Sequence, residues 1–209
     1  FNNSFLVDSK SEAAERWNNS SVNENGHLFT TYELLEKHKV LKAFAPEEQN
    51  KITFWLRKII LHTDMEFHGE LLQKMIKEVE MEVNELGDPR PIKEWNSVWI
   101  PLAFIVHCAD ISNPARPYEL AFPWATMITD EFYIQGDRTR DLMMKVDSFL
   151  DRKLAKPGTT QNNQLGFIKF VVKPTLTILQ AVLPSVDLLI EILNTNVRAY
   201  EEAVEAAKT

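Results

Sequence analysis

The sequence predicts an all-α fold, a compact multi-helix bundle, on three observations. Apolar residues recur at helical spacing along nearly the whole chain. No run alternates with period two for long enough to demand a strand. Only 6 glycines occur in 209 residues, too few for an architecture built on many tight turns.

The elements follow in order. Ser9-x-x-Glu12 reads as a capping box opening a short helix to about Trp17. Ser21-x-x-Glu24 reads as a second box, opening a helix on which Leu28, Tyr32 and Leu35 share a face. Ala45-Pro46-Glu47-Glu48 puts a proline and two acids in a first turn. The helix that follows is expected to bury Ile52, Trp55, Leu56, Ile59 and Ile60 and to end near Thr63. The next runs from about Phe67 to Leu86, with Leu71, Leu72, Met75, Ile76 and Val79 inward. Gly87-Asp88-Pro89-Arg90-Pro91 is a break and the best internal boundary, dividing 1–86 from 87–209. An apolar helix then ends at His107–Asp110, with Pro101 in its first turn, where proline is tolerated. Further helices are expected over Tyr118–Gln135, Asp137–Asp151, Gln164–Val182 and Ser185–Ala207, with a loop at Lys156–Gln161.

Charge narrows the ligand classes. With 30 acidic against 23 basic residues the formal net charge is -7. An acidic chain without basic clusters is a poor partner for nucleic acid or an anionic membrane. An anionic ligand would need a local positive source, and a metal is the obvious one. The single cysteine, Cys108, allows no intrachain disulfide and fits a reducing, cytoplasmic compartment. The longest apolar run, Val98 to Cys108, is interrupted by Pro101 and falls short of the roughly 20 residues a membrane span needs. The chain opens on Phe1 with no secretory signal, so it reads as cut from something longer.

Three places could carry chemistry. Asp110 ends an apolar helix, where the helix dipole disfavours a carboxylate, so it calls for a metal or for the nearby Arg116. His62-Thr63-Asp64 with His68 four residues on is either a polar site or a solvated turn. The 5 histidines contain no tight metal signature such as H-E-x-x-H. Gln164 and Phe167 are three apart, and Ile128 and Phe132 four apart, so each pair shares a helical face. Those faces are either ordinary core or the two walls of a slot for a planar base, with Gln164 offering a donor and an acceptor to its edge.

The motifs that contain these residues resemble one family. His107-Cys108-Ala109-Asp110-Ile111-Ser112-Asn113-Pro114 is similar to the H-C-A-D-[LI]-S-N-P signature of the class I cyclic nucleotide phosphodiesterases. Phe5-Leu6-Val7 through Ser11-Glu12, Ser21-Val22-Asn23-Glu24-Asn25-Gly26-His27-Leu28 and Thr63-Asp64-Met65-x-x-His68 resemble further stretches of it. So do Glu131-Phe132-x-x-Gln135-Gly136-Asp137 and Gln164-Leu165-Gly166-Phe167-Ile168. The matches fall in family order along nearly the whole chain.

The resemblance implies an all-helical catalytic domain in signal transduction. It would hydrolyse cAMP, cGMP or both to 5′-monophosphates through hydroxide activated by two divalent metals, zinc with magnesium or manganese. Asp110 would ligate metal, and Glu24, Thr63 and Asp64 would hold metal-bound water, with Asp110 and Glu24 the catalytic pair. Gln164 would bind the purine edge, with Asn113 and Ile111 on the substrate. Phe167 would stack on one face of the base, and Ile128 and Phe132 on the other. A homodimer is compatible with this reading. The family's remaining metal ligands lie in histidine-rich stretches that would precede Phe1. The domain is therefore expected to be incomplete at its N-terminus, inactive as this chain alone, and exposed where the missing helices would pack. Gly26 stands where the family has a histidine, and the loop before Gln164 is slightly long. A non-catalytic nucleotide-binding relative and a helical interaction domain are the other readings.

Overall fold

The computed structural model describes residues 1–83, 87 and 90–208. Among them the regular structure is helical, with no β-strand longer than a single bridge residue. The chain forms two compact units, Phe1–His107 and Cys108–Thr209. The expected boundary at 86/87, with Asp88 and Pro89, falls on or beside residues outside the described set; the helix expected to run to about Leu86 already ends at Met81, with Glu82 as its C-cap.

The first unit opens with two short helices, α1 (Asn3–Asp8) and α2 (Glu12–Arg16). The cap of α2 is Ser11, whose hydroxyl accepts the Ala14 N–H, not Ser9. Ser9 instead closes α1, which the hydrophobic pattern does not reveal because it holds under two turns. The long helix α3 (Val22–Lys37) starts where expected, but Ser21 makes no side-chain cap. Glu24 does not complete a capping box: its carboxylate accepts from the Asn3 side chain instead.

In α4 (Pro46–Leu61) proline is the first residue, and Glu48 reaches back to accept the Ala45 N–H at 2.9 Å. None of its residues is fully buried, including the five expected inward, and Phe54 is 49% exposed. The apolar stripe is real but only partly covered. Helix α5 (His68–Met81) buries Leu71 and Met75 completely. Beyond it the carboxylate of Glu82 is buried and satisfied by Arg90 and by the Asn96 backbone and side chain. Helix α6 (Trp99–Asp110) begins with Pro101 in its first turn, as expected. It runs antiparallel to α5: Lys74 lies over the Trp99 ring, and His68 meets His107.

In the second unit α7 is one continuous helix, Tyr118–Asp141, rather than two broken at Gly136. Gly136 serves packing there. A Cβ on it would lie 1.9 Å from the Leu150 carbonyl oxygen, so glycine lets the turn at Ser148–Leu150 rest on the helix backbone. The helix expected to reach Asp151 stops at Leu142, with Met143 at φ +57°. Residues 148–154 form two short 3-10 turns instead, tied to α7 because Arg140 bridges Asp137 and Asp151 while Arg152 bonds Asp137.

Helix α8 (Thr159–Phe167) passes through a π turn at Ile168–Val172 into α9 (Lys173–Gln180). Pro174 explains the wide turn. It has no N–H for the carbonyl four residues back, and its ring would clash there in a regular α-helix. The last helix, α10 (Asp187–Ala206), packs on α8 and buries Leu193, Asn196 and Tyr200.

Candidate functional site

In the second unit α7 and α8 enclose a cavity of about 460 Å³. Ile128 and Phe132 come from α7, Gln164 and Phe167 from α8, so all four side chains read from the sequence as slot walls line one space. The sequence reading missed Phe149, Thr129 and Asn163, which also line it. Phe149 arrives on the turn that Gly136 admits, and its ring meets Phe132 with centroids 5.0 Å apart. No local spacing could place it, because its position depends on how residues 142–154 fold back.

Gln164 is 9% exposed, yet its amide has no hydrogen-bond partner among the described residues. Its amide lines the cavity, where a ligand edge would engage both its donor and its acceptor. Ile111 and Asn113 do not line this cavity. Ile111 is buried. The Asn113 amide nitrogen donates to the Ala121 carbonyl at 3.4 Å, and its Oδ1 is buried without a partner. The turn Asn113–Ala115 is held from α10, where Asn196 donates to the carbonyls of Pro114 at 2.7 Å and Arg116 at 2.6 Å.

The first unit carries a polar cluster. Asn3 on α1 donates from one amide nitrogen to Glu24 at 2.8 Å and to Asp64 at 3.1 Å, and its carbonyl accepts the Asn23 N–H. Asp64 is 6% exposed, and its other oxygen caps the following turn through the Glu66 N–H. Thr63 donates its hydroxyl proton to the Ile60 carbonyl, which leaves its oxygen able to accept. Two of the predicted carboxylates are thus drawn together by an asparagine the sequence did not flag.

Also in the first unit, His68 Nδ1 and His107 Nε2 are 2.8 Å apart. Burial, then the neighbouring histidines, hold the His107 pKa down at about 4. Its other ring nitrogen is buried without a partner. Asp110 closes α6 and is exposed. Burial pushes the Cys108 thiol up to about 12, so it is a packing residue and not a nucleophile.

Among the described residues no three His, Cys, Asp or Glu side chains converge to hold a metal ion. Within the first unit the donors fit an outer ring, two carboxylates and a threonine oxygen able to order water, rather than a closed ligand set. Among the described residues no helix is long and apolar enough to cross a membrane.

The second unit is thus all-helical, with an apolar cavity walled by Ile128, Phe132, Phe149 and Phe167 beside Gln164. The family profile for 3′5′-cyclic nucleotide phosphodiesterase matches residues 1–193, and the chain belongs to that family. It is 32% identical over 174 residues to a 3′,5′-cyclic-AMP phosphodiesterase, isoform F, of Drosophila melanogaster, covering 82% of this chain and 26% of that protein. It is 31% identical over 206 residues to 3′,5′-cyclic-AMP phosphodiesterase 4C of Mus musculus, covering 97% of this chain and 29% of that one. The crystal structure of the phosphodiesterase domain of the Salpingoeca rosetta rhodopsin phosphodiesterase superposes with a TM-score of 0.88 at 26% identity. It covers 100% of this chain and 62% of that one. The chain therefore spans under a third of these curated relatives and under two thirds of that domain.

Proposed function

We propose that this chain is the nucleotide-recognising part of a 3′,5′-cyclic nucleotide phosphodiesterase, which converts cAMP, cGMP or both to 5′-monophosphates. The observation that carries the proposal is the convergence of Ile128, Phe132, Gln164 and Phe167 on one cavity. In this reading the base lies flat between Phe167 and the Ile128–Phe132 wall. Gln164 meets its edge, and because no protein group fixes the amide, it can offer its donor and acceptor in either order. A 6-amino purine and a 6-oxo purine are then both acceptable. Water adds to phosphorus, the bond to the 3′ oxygen breaks, and that oxygen leaves with a proton.

The family is in general metal-dependent. In the proposed enzyme Asp110 would ligate a divalent ion, zinc, magnesium or manganese, and Glu24, Thr63 and Asp64 would hold metal-bound water. When bound, such ions neutralise charge on the phosphoryl oxygens and acidify water. Glu24 and Asp64 would accept hydrogen bonds from that water in place of the Asn3 amide. The remaining ligands would come from outside this chain, so the 209 residues by themselves are expected to be inactive.

The test is turnover of cAMP and cGMP by the full-length protein with zinc and magnesium supplied, beside an Asp110→Ala control. Turnover that vanishes in the control supports the reading and names the substrate. A folded, metal-supplied protein that binds either nucleotide without cutting it would make this a non-catalytic binding relative.

A further inference from the structure

A second cavity, about 370 Å³, lies wholly within the first unit, between the start of α3, the last turn of α4 and the first turns of α5. None of the residues assigned above to nucleotide or metal lines it. Its charge is the opposite of the chain's. Arg57, Lys58 and Lys74 face it against one carboxylate, Glu70, and Lys74 already holds that carboxylate at 2.5 Å. Arg57 and Lys58 are in no ion pair among the described residues. Lys58 and Lys74 both place their ammonium groups over the Trp99 ring, at 5.2 and 5.5 Å from its centroid. In a protein of net charge -7, a local surplus of cations repels itself unless an anion joins it.

The floor of the cavity adds neutral donors. Ser21 is 5% exposed and lines the space, yet its hydroxyl has no partner among the described residues. It sits at the head of α3, a helix of 16 residues, where its own side chain makes no cap and the Asn23 N–H is taken by Asn3 instead. His62, nine-tenths buried, closes the wall. Its Nδ1 bonds the Lys58 carbonyl, and its other ring nitrogen has no partner among the described residues.

We propose that this cavity binds a phosphate group, free or as the terminal monoester of a small molecule, at a site distinct from the residues assigned to the cyclic nucleotide. Arg57, Lys58 and Lys74 neutralise its charge from two helices, and the Ser21 hydroxyl donates to one of its oxygens. A tetrahedral dianion suits this arrangement better than a carboxylate, because the donors approach from several directions and the cations outnumber one negative charge. The assignment does not depend on the catalytic reading.

The experiment is calorimetric titration of the full-length Asp110→Ala protein, in which the proposed metal centre is disabled, with inorganic phosphate and separately with glycerol 3-phosphate. Saturable binding of one anion per chain is expected for at least one of them, and the tighter of the two names the source. In the Arg57→Gln/Lys74→Gln background the affinity should fall roughly a hundredfold, about tenfold for each charge-assisted hydrogen bond removed. It should be unchanged by Gln164→Ala. Amide resonances of Ser21 and Val22 in the otherwise unsubstituted Asp110→Ala protein should shift on titration, a readout that needs no further variant to fold. No saturable binding of either anion would overturn the proposal. So would affinity unaltered in a folded double variant, or shifts that leave Ser21 and Val22 untouched.

Discussion

The cavity of the second unit and the polar cluster of the first are built on different plans. The cavity draws four of its side chains from two helices at spacings of three and four, so each wall is a local property of its helix. The cluster joins Asn3, Glu24 and Asp64 across up to 61 residues, through one amide that no periodicity marks. The first is apolar, with one amide that makes no hydrogen bond among the described residues. The second is polar, and its hydrogen bonds are already made. The cavity is therefore complete within one unit from local spacing, whereas the two carboxylates hold their places through a donor far away in the sequence.

The largest effect should come from the one place where the cavity depends on distant chain. Gly136→Ala puts a methyl group 1.9 Å from the Leu150 carbonyl, against backbone and not a yielding side chain. The turn must lift, at a cost of about 3 kcal/mol by the usual penalty for overpacking. Phe149 leaves the wall with it, so the KM for cyclic nucleotide should rise along with the loss of thermal stability. A variant with unchanged Tm would mean that the turn at Ser148–Leu150 is not seated on α7.

The first unit's histidine pair makes a pH-dependent counterpart. Burial of His107 holds its pKa at about 4, whereas unfolded histidine titrates near 6.5. Between those values the unfolded chain binds the extra proton and the folded one does not. Stability thus rises with pH through that window and falls as pH drops from about 6.5 towards 4, by up to roughly 3 kcal/mol. His68, also lowered by burial, pushes in the same direction. Urea midpoints at pH 7, 6 and 5 should decline in wild type and decline less in His107→Gln. Parallel curves would show that the pair titrates normally.

Legibility follows the same divide. The helical class, α4 with its Pro46 start, α6 with Pro101 in its first turn, and the four cavity walls are readable because each rests on residues within a turn or two. The features that mislead need tertiary information. Gly136 looks like a helix break and is a packing contact. Ser21-x-x-Glu24 looks like a capping box, but Asn3 competes for the glutamate. The five apolar residues of α4 keep their helical face, but burial depends on what covers a face, and the helix does not carry that information.

A smaller effect separates recognition from folding in the cavity. Phe167→Ala removes one face of the proposed stack, worth about 1–3 kcal/mol, or roughly tenfold to a hundredfold in KM. Because Phe167 is only part-buried and lines open space, its loss should leave the urea midpoint nearly unchanged. A large fall in stability with little change in KM would make it a core residue after all.

Asn3→Leu tests the cluster with the least expected cost and the most specific outcome. The substitution keeps the bulk of the side chain and removes both the donor to Glu24 and Asp64 and the acceptor for the Asn23 N–H. Asp64 keeps the Glu66 N–H on its other oxygen, so it is not stranded, and the loss should be about 1–2 kcal/mol. Part of that loss is repulsion between two carboxylates no longer bridged by a donor. Asp64→Asn removes one of the charges, so Asn3→Leu should cost less in that background than in wild type. A double-mutant cycle reads the difference directly. Additive costs would mean that Asn3 braces α1 against α3 through Asn23 alone and does not hold the carboxylates together.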